Sequence, residues 1–336
     1  MDVGLVLAIV MALAYALFNG VNDAAAAVAM PVITRAARPG RVVAIAALFN
    51  FLGPFVLGTA VVGTIAGIVA VQGDEGVAVI GAGLTSAVVW CGFGWWRGLP
   101  TSAGHALIGG LAGAAIAAEG LDGVTWGGLD GWKPYGVLGA LFALVFSVVL
   151  GLVLGAVVDR LARRALRRAT HEVLRPVKGA EVVSAAALAL GHGANDAQKS
   201  LGAIVALLVA AGESTSSSPP FWATVAAATA LTVGTALGGW PIVRTIGQRL
   251  VRVRPVEGLV AQSSSAVVVV ASSIAGAPVS TTQVLASSVV GTGLGRRRGR
   301  HVRWAIAGRI VVSWLITLPV AAMLAAAFLP LWRLIS

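Results

Sequence analysis

The stretch Gly191-His192-Gly193-Ala194-Asn195-Asp196-Ala197-Gln198-Lys199-Ser200 interrupts a long apolar run in the second half of the chain. Its centre has a counterpart in the first apolar run, where Gly20-Val21-Asn22-Asp23 carries the same Asn-Asp pair two residues after a glycine. A charged side chain inside a membrane-length apolar segment is costly and usually functional. Because the pair occurs twice, we interpret it as part of an internal repeat.

The composition places both motifs in a membrane protein. The 336 residues are 58% hydrophobic and 11% charged, with a mean hydropathy of +0.91, whereas soluble domains contain about 25% charged residues. The apolar runs are continuous rather than alternating, which favours membrane-spanning helices over a β-barrel. The sequence predicts ten apolar segments: 4–31, 42–70, 77–96, 100–118, 135–158, 182–211, 221–240, 259–275, 278–295 and 302–329.

Clusters of basic residues identify the cytoplasmic loops. They fall in 35–41, 160–178, 244–254 and 296–303, whereas the intervening connections carry acidic residues. The positive-inside rule then predicts a multi-pass protein of the cell membrane with both termini outside. It also accounts for the net charge of +11, so the lipid bilayer is an expected partner and nucleic acid is not.

This topology makes the two halves of the chain antiparallel. We predict a first transmembrane repeat over 1–158, a basic cytoplasmic linker over 159–180 and a second, inverted repeat over 181–336. Secondary transporters are built from such repeats, with the binding site at the midplane where broken helices meet. The predicted fold class is an all-α polytopic membrane protein with two inverted-topology repeats of about five membrane segments each. We expect broken helices and Pro-Ser/Thr half-helix or hairpin segments at its midplane.

Asp23 and Asp196 are acidic residues that lie deep in apolar sequence, at equivalent positions of the repeat. Asn22 and Asn195 add carbonyl oxygens beside them, and oxygen ligands of this kind suit a hard cation or a proton. We expect the glycine of each motif to let its helix unwind and free further backbone oxygens. These four residues are therefore the predicted binding site of a coupling ion, Na⁺ or H⁺.

Two Pro-Ser/Thr segments supply the opposite chemistry. Pro100-Thr101-Ser102 opens the fourth apolar segment, and Pro278-Val279-Ser280-Thr281-Thr282 opens the ninth. Proline favours a helix N-terminus, where free N–H groups and the positive dipole end attract anions. The predicted anion ligands are Thr101, Ser102, Gln198, Ser280, Thr281 and Thr282, with His105, His192, Lys199 and Gln283 as further candidates.

The four motifs together resemble the signature of the inorganic phosphate transporter family, often called PiT. That signature is a repeated Gly-x-Asn-Asp and a repeated Pro-x-Ser-Thr-Thr-His, and the resemblance covers the whole chain. Departures are the alanines at 24–27, Ala103 and Gly104 in place of hydroxyl residues, and Gln283 in place of the second histidine. The resemblance implies symport of inorganic phosphate with Na⁺ or H⁺, with the Asp and Asn residues at cation sites and the Ser/Thr segments around phosphate.

The residues leave alternatives open. A symporter of the same family for sulfate or another tetrahedral oxyanion is one alternative, and an anion channel is another. Hydrogen phosphate can donate a proton to Asp23, Asp196 or Gln198 whereas sulfate cannot, which favours phosphate. The sequence contains no zinc-ligand set, nucleophile elbow or P-loop, so we predict neither an enzyme nor a resident cofactor. Small-residue helix faces also indicate a possible homodimer.

Overall fold

A computed structural model describes residues 3–99, 101–216, 218–238, 240–244, 253–295 and 302–336 of the chain. Pro100, which opens one Pro-Ser/Thr segment, lies outside the described residues, as do 245–252 and 296–301 from the two later basic clusters. The topology prediction for those two clusters therefore rests on the sequence.

The described residues are mostly helical. The helices are α1 (Val3–Ile33), α2 (Pro39–Val56), α3 (Ala60–Ala66), α4 (Gly73–Arg97), α5 (Ala103–Glu119), α6 (Gly136–Ala165), α7 (Leu174–Ala210), α8 (Phe221–Leu237), α9 (Trp240–Arg244), α10 (Pro255–Ile274), α11 (Thr281–Gly295) and α12 (Trp304–Trp332). A short antiparallel hairpin of β1 (Gly128–Asp130) and β2 (Lys133–Tyr135) pairs Gly128 with Tyr135.

Seven helices among the described residues are long and apolar enough to cross a membrane. They are α1, α2, α4, α5 with the turn that follows it, α6, α10 and α12. The shorter α8 is also apolar, and α7 is the 37-residue helix that carries the polar motif around Asp196. The prediction of an all-α polytopic membrane protein is confirmed.

The second predicted segment, 42–70, forms two helices rather than one. The connection between α2 and α3 contains Gly58, whose φ of 81° lies in the left-handed region. Gln198 of α7 holds this connection, because its Nε2 donates to the Gly58 carbonyl and its Oε1 accepts from the Val61 N–H, each at 2.7 Å. A polar side chain of the second half thus stabilises a helix break in the first.

Equivalent helix pairs interlock the two halves. α1 packs against α8 as α7 packs against α2, and α5 packs against α12 as α11 packs against α6. Each of these pairs joins a helix of one half to a helix of the other. α1 and α7 also pack against each other, so the two helices with the Asn-Asp pairs lie side by side.

α1 and α7 are continuous α-helices through their Gly-x-Asn-Asp motifs, which corrects the expectation that they unwind there. The two glycines serve close packing instead. A Cβ at Gly193 would overlap the backbone oxygen of Asn50 in α2, and a Cβ at Gly20 would overlap that of Leu231 in α8. Because the backbones approach this closely, the glycines are needed as small residues while the helical hydrogen bonds stay intact.

Replacing Gly193 with Ala should lower the free energy of unfolding by about 1–3 kcal/mol, because the added methyl group forces two backbones apart. The matched control is Gly179, also in α7, where a Cβ would meet open space. Gly179→Ala should instead raise stability by about 0.5–1 kcal/mol. Denaturant unfolding of both variants in detergent checks this, and equal stability of Gly193→Ala and the wild type would contradict the packing role.

Candidate functional site

Asp23 and Asp196 meet where α1 and α7 pack together. A carboxylate oxygen from each and a ring nitrogen of His192 all lie within 4.8 Å of one another. The three side chains are at most 1% exposed. The fold therefore brings the equivalent acids of the two halves into one polar centre inside an apolar bundle.

Asp196 is fully engaged by neighbouring side chains. Lys199 donates its Nζ to Oδ1, and His192 Nε2 lies 2.9 Å from Oδ2. Thr281 donates to the same Oδ2 at 3.3 Å. The Lys199 Nζ also donates to the carbonyl of Val279, so a buried ammonium links α7 to the residues just before α11.

The equivalent residues on α1 are much less engaged. Oδ1 of Asp23, Oδ1 of Asn22 and both polar atoms of Asn19 have no hydrogen-bond partner among the described residues. Asn22 Nδ2 donates to the carbonyls of Phe18 and Cys91 at 3.0 and 3.1 Å, which holds its amide in place. Positions 19, 22 and 23 share one helix face. Buried polar atoms without partners are uncommon, so this face of α1 is the candidate place for a ligand.

The two amides beside Asp196 hold backbone. Asn195 Oδ1 accepts from the Val279 N–H and Nδ2 donates to the Ala277 carbonyl, each at 3.0 Å. Gln198 uses both ends of its amide on the connection between α2 and α3. The structure thus places these two predicted ligands in positioning contacts, where each amide oxygen already accepts a backbone hydrogen bond.

α5 and α11 both begin at buried residues beside this centre. Ser102 caps α5, because its Oγ accepts from the N–H of His105. The Lys199 Nζ lies 3.7 Å from where a Cβ at Gly104 would stand, and it also reaches the Val279 carbonyl ahead of α11. One ammonium therefore lies between the starts of the two helices.

Side chains at the starts of α5 and α11 also contact each other and leave polar atoms free. His105 Nδ1 lies 2.8 Å from Ser102 Oγ and 3.3 Å from Gln283 Nε2. Several buried atoms in these two segments lack a hydrogen-bond partner within the described ranges: Thr101 Oγ1, Ser280 Oγ, Thr282 Oγ1 and Gln283 Oε1. Hydroxyl donors near helix N-termini suit an anion.

Asn50 and Tyr15 complete the centre, and the sequence analysis missed both. His192 Nδ1 lies 3.0 Å from Asn50 Oδ1, and the Tyr15 hydroxyl donates to the carbonyl of Ala103 at 3.1 Å. Asn50 is the one polar side chain between Val42 and Leu57, which is the available signal, whereas Tyr15 shares its segment with the polar motif around Asp23. The repeat comparison could not reveal Asn50, because matching glycine contacts put Leu231 at the equivalent position.

The chain matches the model of a protein family described as the phosphate transporter family, twice, over residues 19–177 and 163–325. The two matches correspond to the two halves and together span most of the chain. The chain belongs to the phosphate transporter family. The resemblance found in the four motifs is thereby confirmed.

Curated relatives agree with this membership of the phosphate transporter family. A protein of Mycobacterium tuberculosis (strain ATCC 25618 / H37Rv) is 41% identical over 324 residues, which cover 96% of this chain and 76% of the relative. A protein of Bacillus subtilis (strain 168) is 36% identical over 332 residues, covering 97% of each. Each is named a probable low-affinity inorganic phosphate transporter. The family and these relatives are transporters and not enzymes.

A solved structure has the same fold. It is titled "The sodium-dependent phosphate transporter" and matches with a TM-score of 0.85, covering 99% of this chain and 100% of that chain at 24% sequence identity. This phosphate transporter family member therefore shares its helical architecture with a solved transporter.

Proposed function

We propose that this protein imports inorganic phosphate by symport with Na⁺, working by alternating access. The observation that carries the proposal is the set of buried polar atoms without partners among the described residues, which occur on α1 and at the starts of α5 and α11. The two groups meet at the aspartates, because Thr281 of α11 donates to Asp196 and a carboxylate oxygen of Asp23 lies within 4.8 Å of one of Asp196. Adjacent cation and anion sites make the binding of the two ions mutually favourable. The names of the curated relatives and of the structural neighbour support the same pair of substrates.

The ligand types on α1 favour Na⁺ over H⁺ as the coupling ion. Beside the Asp23 carboxylate, the free oxygens of Asn19 and Asn22 are amide carbonyls. Amide oxygens coordinate hard metal ions but do not take up a proton at neutral pH. A proton-binding site would need only the carboxylate and would have no use for the two amide oxygens.

A free acceptor at the start of α11 favours phosphate over sulfate. Gln283 Oε1 is a buried acceptor without a partner in the described part of the chain. Hydrogen phosphate carries a proton that it can donate to such an acceptor, whereas sulfate has none. An anion without a proton leaves the buried acceptor of the site unpaired, which costs free energy, so the site binds such an anion less well.

The inverted repeat supports alternating access in the cell membrane with both termini outside. The repeat units are 1–158 and 181–336, joined by the basic linker 159–180 on the cytoplasmic side, where its charge belongs by the positive-inside rule. Equivalent helix pairs such as α1 with α8 and α7 with α2 allow two arrangements around one fixed site, related by a pseudo-two-fold axis in the membrane plane. Association into a homodimer stays a prediction.

Uptake of radiolabelled phosphate into proteoliposomes tests the proposed function. Purified protein is reconstituted and given an inward Na⁺ gradient, a proton gradient or neither, each with and without excess sulfate. We expect concentrative uptake under the Na⁺ gradient that resists sulfate. Uptake under the proton gradient alone would replace Na⁺ by H⁺, block by sulfate would change the substrate, and uptake that only follows the phosphate gradient would indicate a channel.

Removing the free hydroxyls of Ser280 and Thr282 should weaken phosphate binding. A hydrogen bond to a charged group contributes about 1.5–3 kcal/mol, so Ser280→Ala and Thr282→Val should each raise the KM for phosphate by about tenfold or more. The matched control is Ser263→Ala in α10, whose hydroxyl donates to Leu259 of the same helix at 2.8 Å. Unchanged phosphate KM in both site variants would remove α11 from the substrate site.

A further inference from the structure

The two halves carry different residues around their equivalent aspartates. Four residues before the aspartate, the first half has Asn19 and the second has His192. Three residues after it, the first half has Ala26 and the second has Lys199. In an α-helix both positions lie on the same face as the aspartate. The second half thus places a lysine beside its carboxylate where the first half has a methyl group.

The Lys199 ammonium holds the position that a bound cation would take at Asp196. Its Nζ contacts the Asp196 carboxylate and the Val279 carbonyl, which are the kinds of oxygen that coordinate Na⁺. The side chain is 1% exposed. The other carboxylate oxygen accepts a hydrogen bond from Thr281 and lies 2.9 Å from His192 Nε2. The protein itself therefore compensates the charge of Asp196.

The carboxylate of Asp23 has no such compensation on its own helix. Within the described residues its Oδ1 has no hydrogen-bond partner, and neither have the amide oxygens of Asn19 and Asn22 on the same face. The Asp196 carboxylate lies within 4.8 Å of that of Asp23, and a second negative charge beside the first in a low-dielectric interior is very costly. One monovalent cation bound at these three oxygens would balance the charge of Asp23. The centre then binds one ion, because the Lys199 ammonium already balances the charge of Asp196.

We propose that Lys199 is a built-in counter-ion that replaces a second coupling ion, so that one Na⁺ binds per transport cycle, at Asn19, Asn22 and Asp23. This inference rests on the proposed function, because it specifies the ion stoichiometry of the same site. Lys199 stays with the protein throughout the cycle, so the ammonium balances charge without being transported.

Equilibrium binding of radiolabelled Na⁺ to the purified full chain, with and without phosphate, tests this proposal. We expect one Na⁺ per chain for the wild type and none for Asp23→Asn. The charge-neutral double variant Asp196→Asn/Lys199→Met should still bind one Na⁺. Lys199→Met alone should bind two, because Asp196 then needs a new cation. If Lys199 had only a structural role, its replacement would not raise the number of Na⁺ bound per chain.

Different outcomes would overturn the role of Lys199 and the proposed function. Two Na⁺ or none in the wild type, Na⁺ binding that persists in Asp23→Asn, or its loss in a folded double variant would each overturn the role of Lys199. If Lys199→Met does not fold, the wild type, Asp23→Asn and the double variant can still overturn the proposal. Sodium-driven phosphate uptake with two Na⁺ per phosphate would keep the proposed function and reject this inference. One bound Na⁺ without any phosphate uptake would reject the proposed function alone.

Discussion

Asp23→Asn should abolish sodium-driven phosphate uptake while the protein remains folded. The substitution keeps the shape of the side chain but removes a buried carboxylate whose Oδ1 has no partner in the described residues. Losing one charged partner of a buried ion pair costs about 3–5 kcal/mol, which corresponds to a fall in Na⁺ affinity of about two to four orders of magnitude. Radiolabelled phosphate uptake under a Na⁺ gradient measures the loss.

The matched control for Asp23→Asn is Asp122→Asn, at an exposed aspartate in the turn after α5. It makes the same chemical change outside the polar centre and should transport like the wild type. Gel filtration and thermal unfolding establish that both variants are folded. Wild-type uptake in Asp23→Asn would remove this carboxylate from the coupling mechanism.

Lys199→Met should cause a large loss of stability in Na⁺-free buffer. Methionine keeps much of the length of the side chain but leaves the Asp196 carboxylate buried without its ammonium partner. Removing one member of a buried ion pair costs about 3–5 kcal/mol, whereas replacing both members is often nearly neutral. The double variant Asp196→Asn/Lys199→Met should therefore recover most of the lost stability.

Added Na⁺ supplies a second test of Lys199→Met. If Na⁺ takes the place of the ammonium at Asp196, it stabilises the folded variant by mass action. The free energy of unfolding should then rise more with Na⁺ in Lys199→Met than in the wild type. Lys133→Met, at an exposed lysine in β2, is the control and should match the wild type at every Na⁺ concentration. Full stability of Lys199→Met without Na⁺ would show that the pair has no structural role.

Hydropathy, the placement of basic residues and the repetition of motifs along the sequence were enough to predict the fold class. Hydropathy depends on composition within each segment, and the inverted arrangement depends on the placement of basic residues and on the repetition of two motifs. These features also singled out Asp23 and Asp196, because a carboxylate in apolar sequence stands out without any knowledge of its neighbours.

Hydropathy, charge placement and repetition do not reveal contacts between segments that are distant in the sequence. Gln198 was expected to bind the anion, yet its amide holds the connection between α2 and α3, which lies far away in sequence. Asn195 likewise holds the residues before α11. Asn19 was not singled out as a ligand, although it lies one helical turn before Asp23 and has both polar atoms free among the described residues.

The sequence by itself thus determined that this is a helical, two-repeat membrane protein with paired Asn-Asp and Pro-Ser/Thr motifs, because segment hydropathy and repetition are properties of the chain alone. Only the tertiary structure decided that α1 and α7 stay continuous and that the two aspartates meet. It also decided that Asp196 is neutralised by Lys199 while Asp23 keeps a free oxygen. The physical reason is that a polar atom is free or engaged according to which helices pack around it.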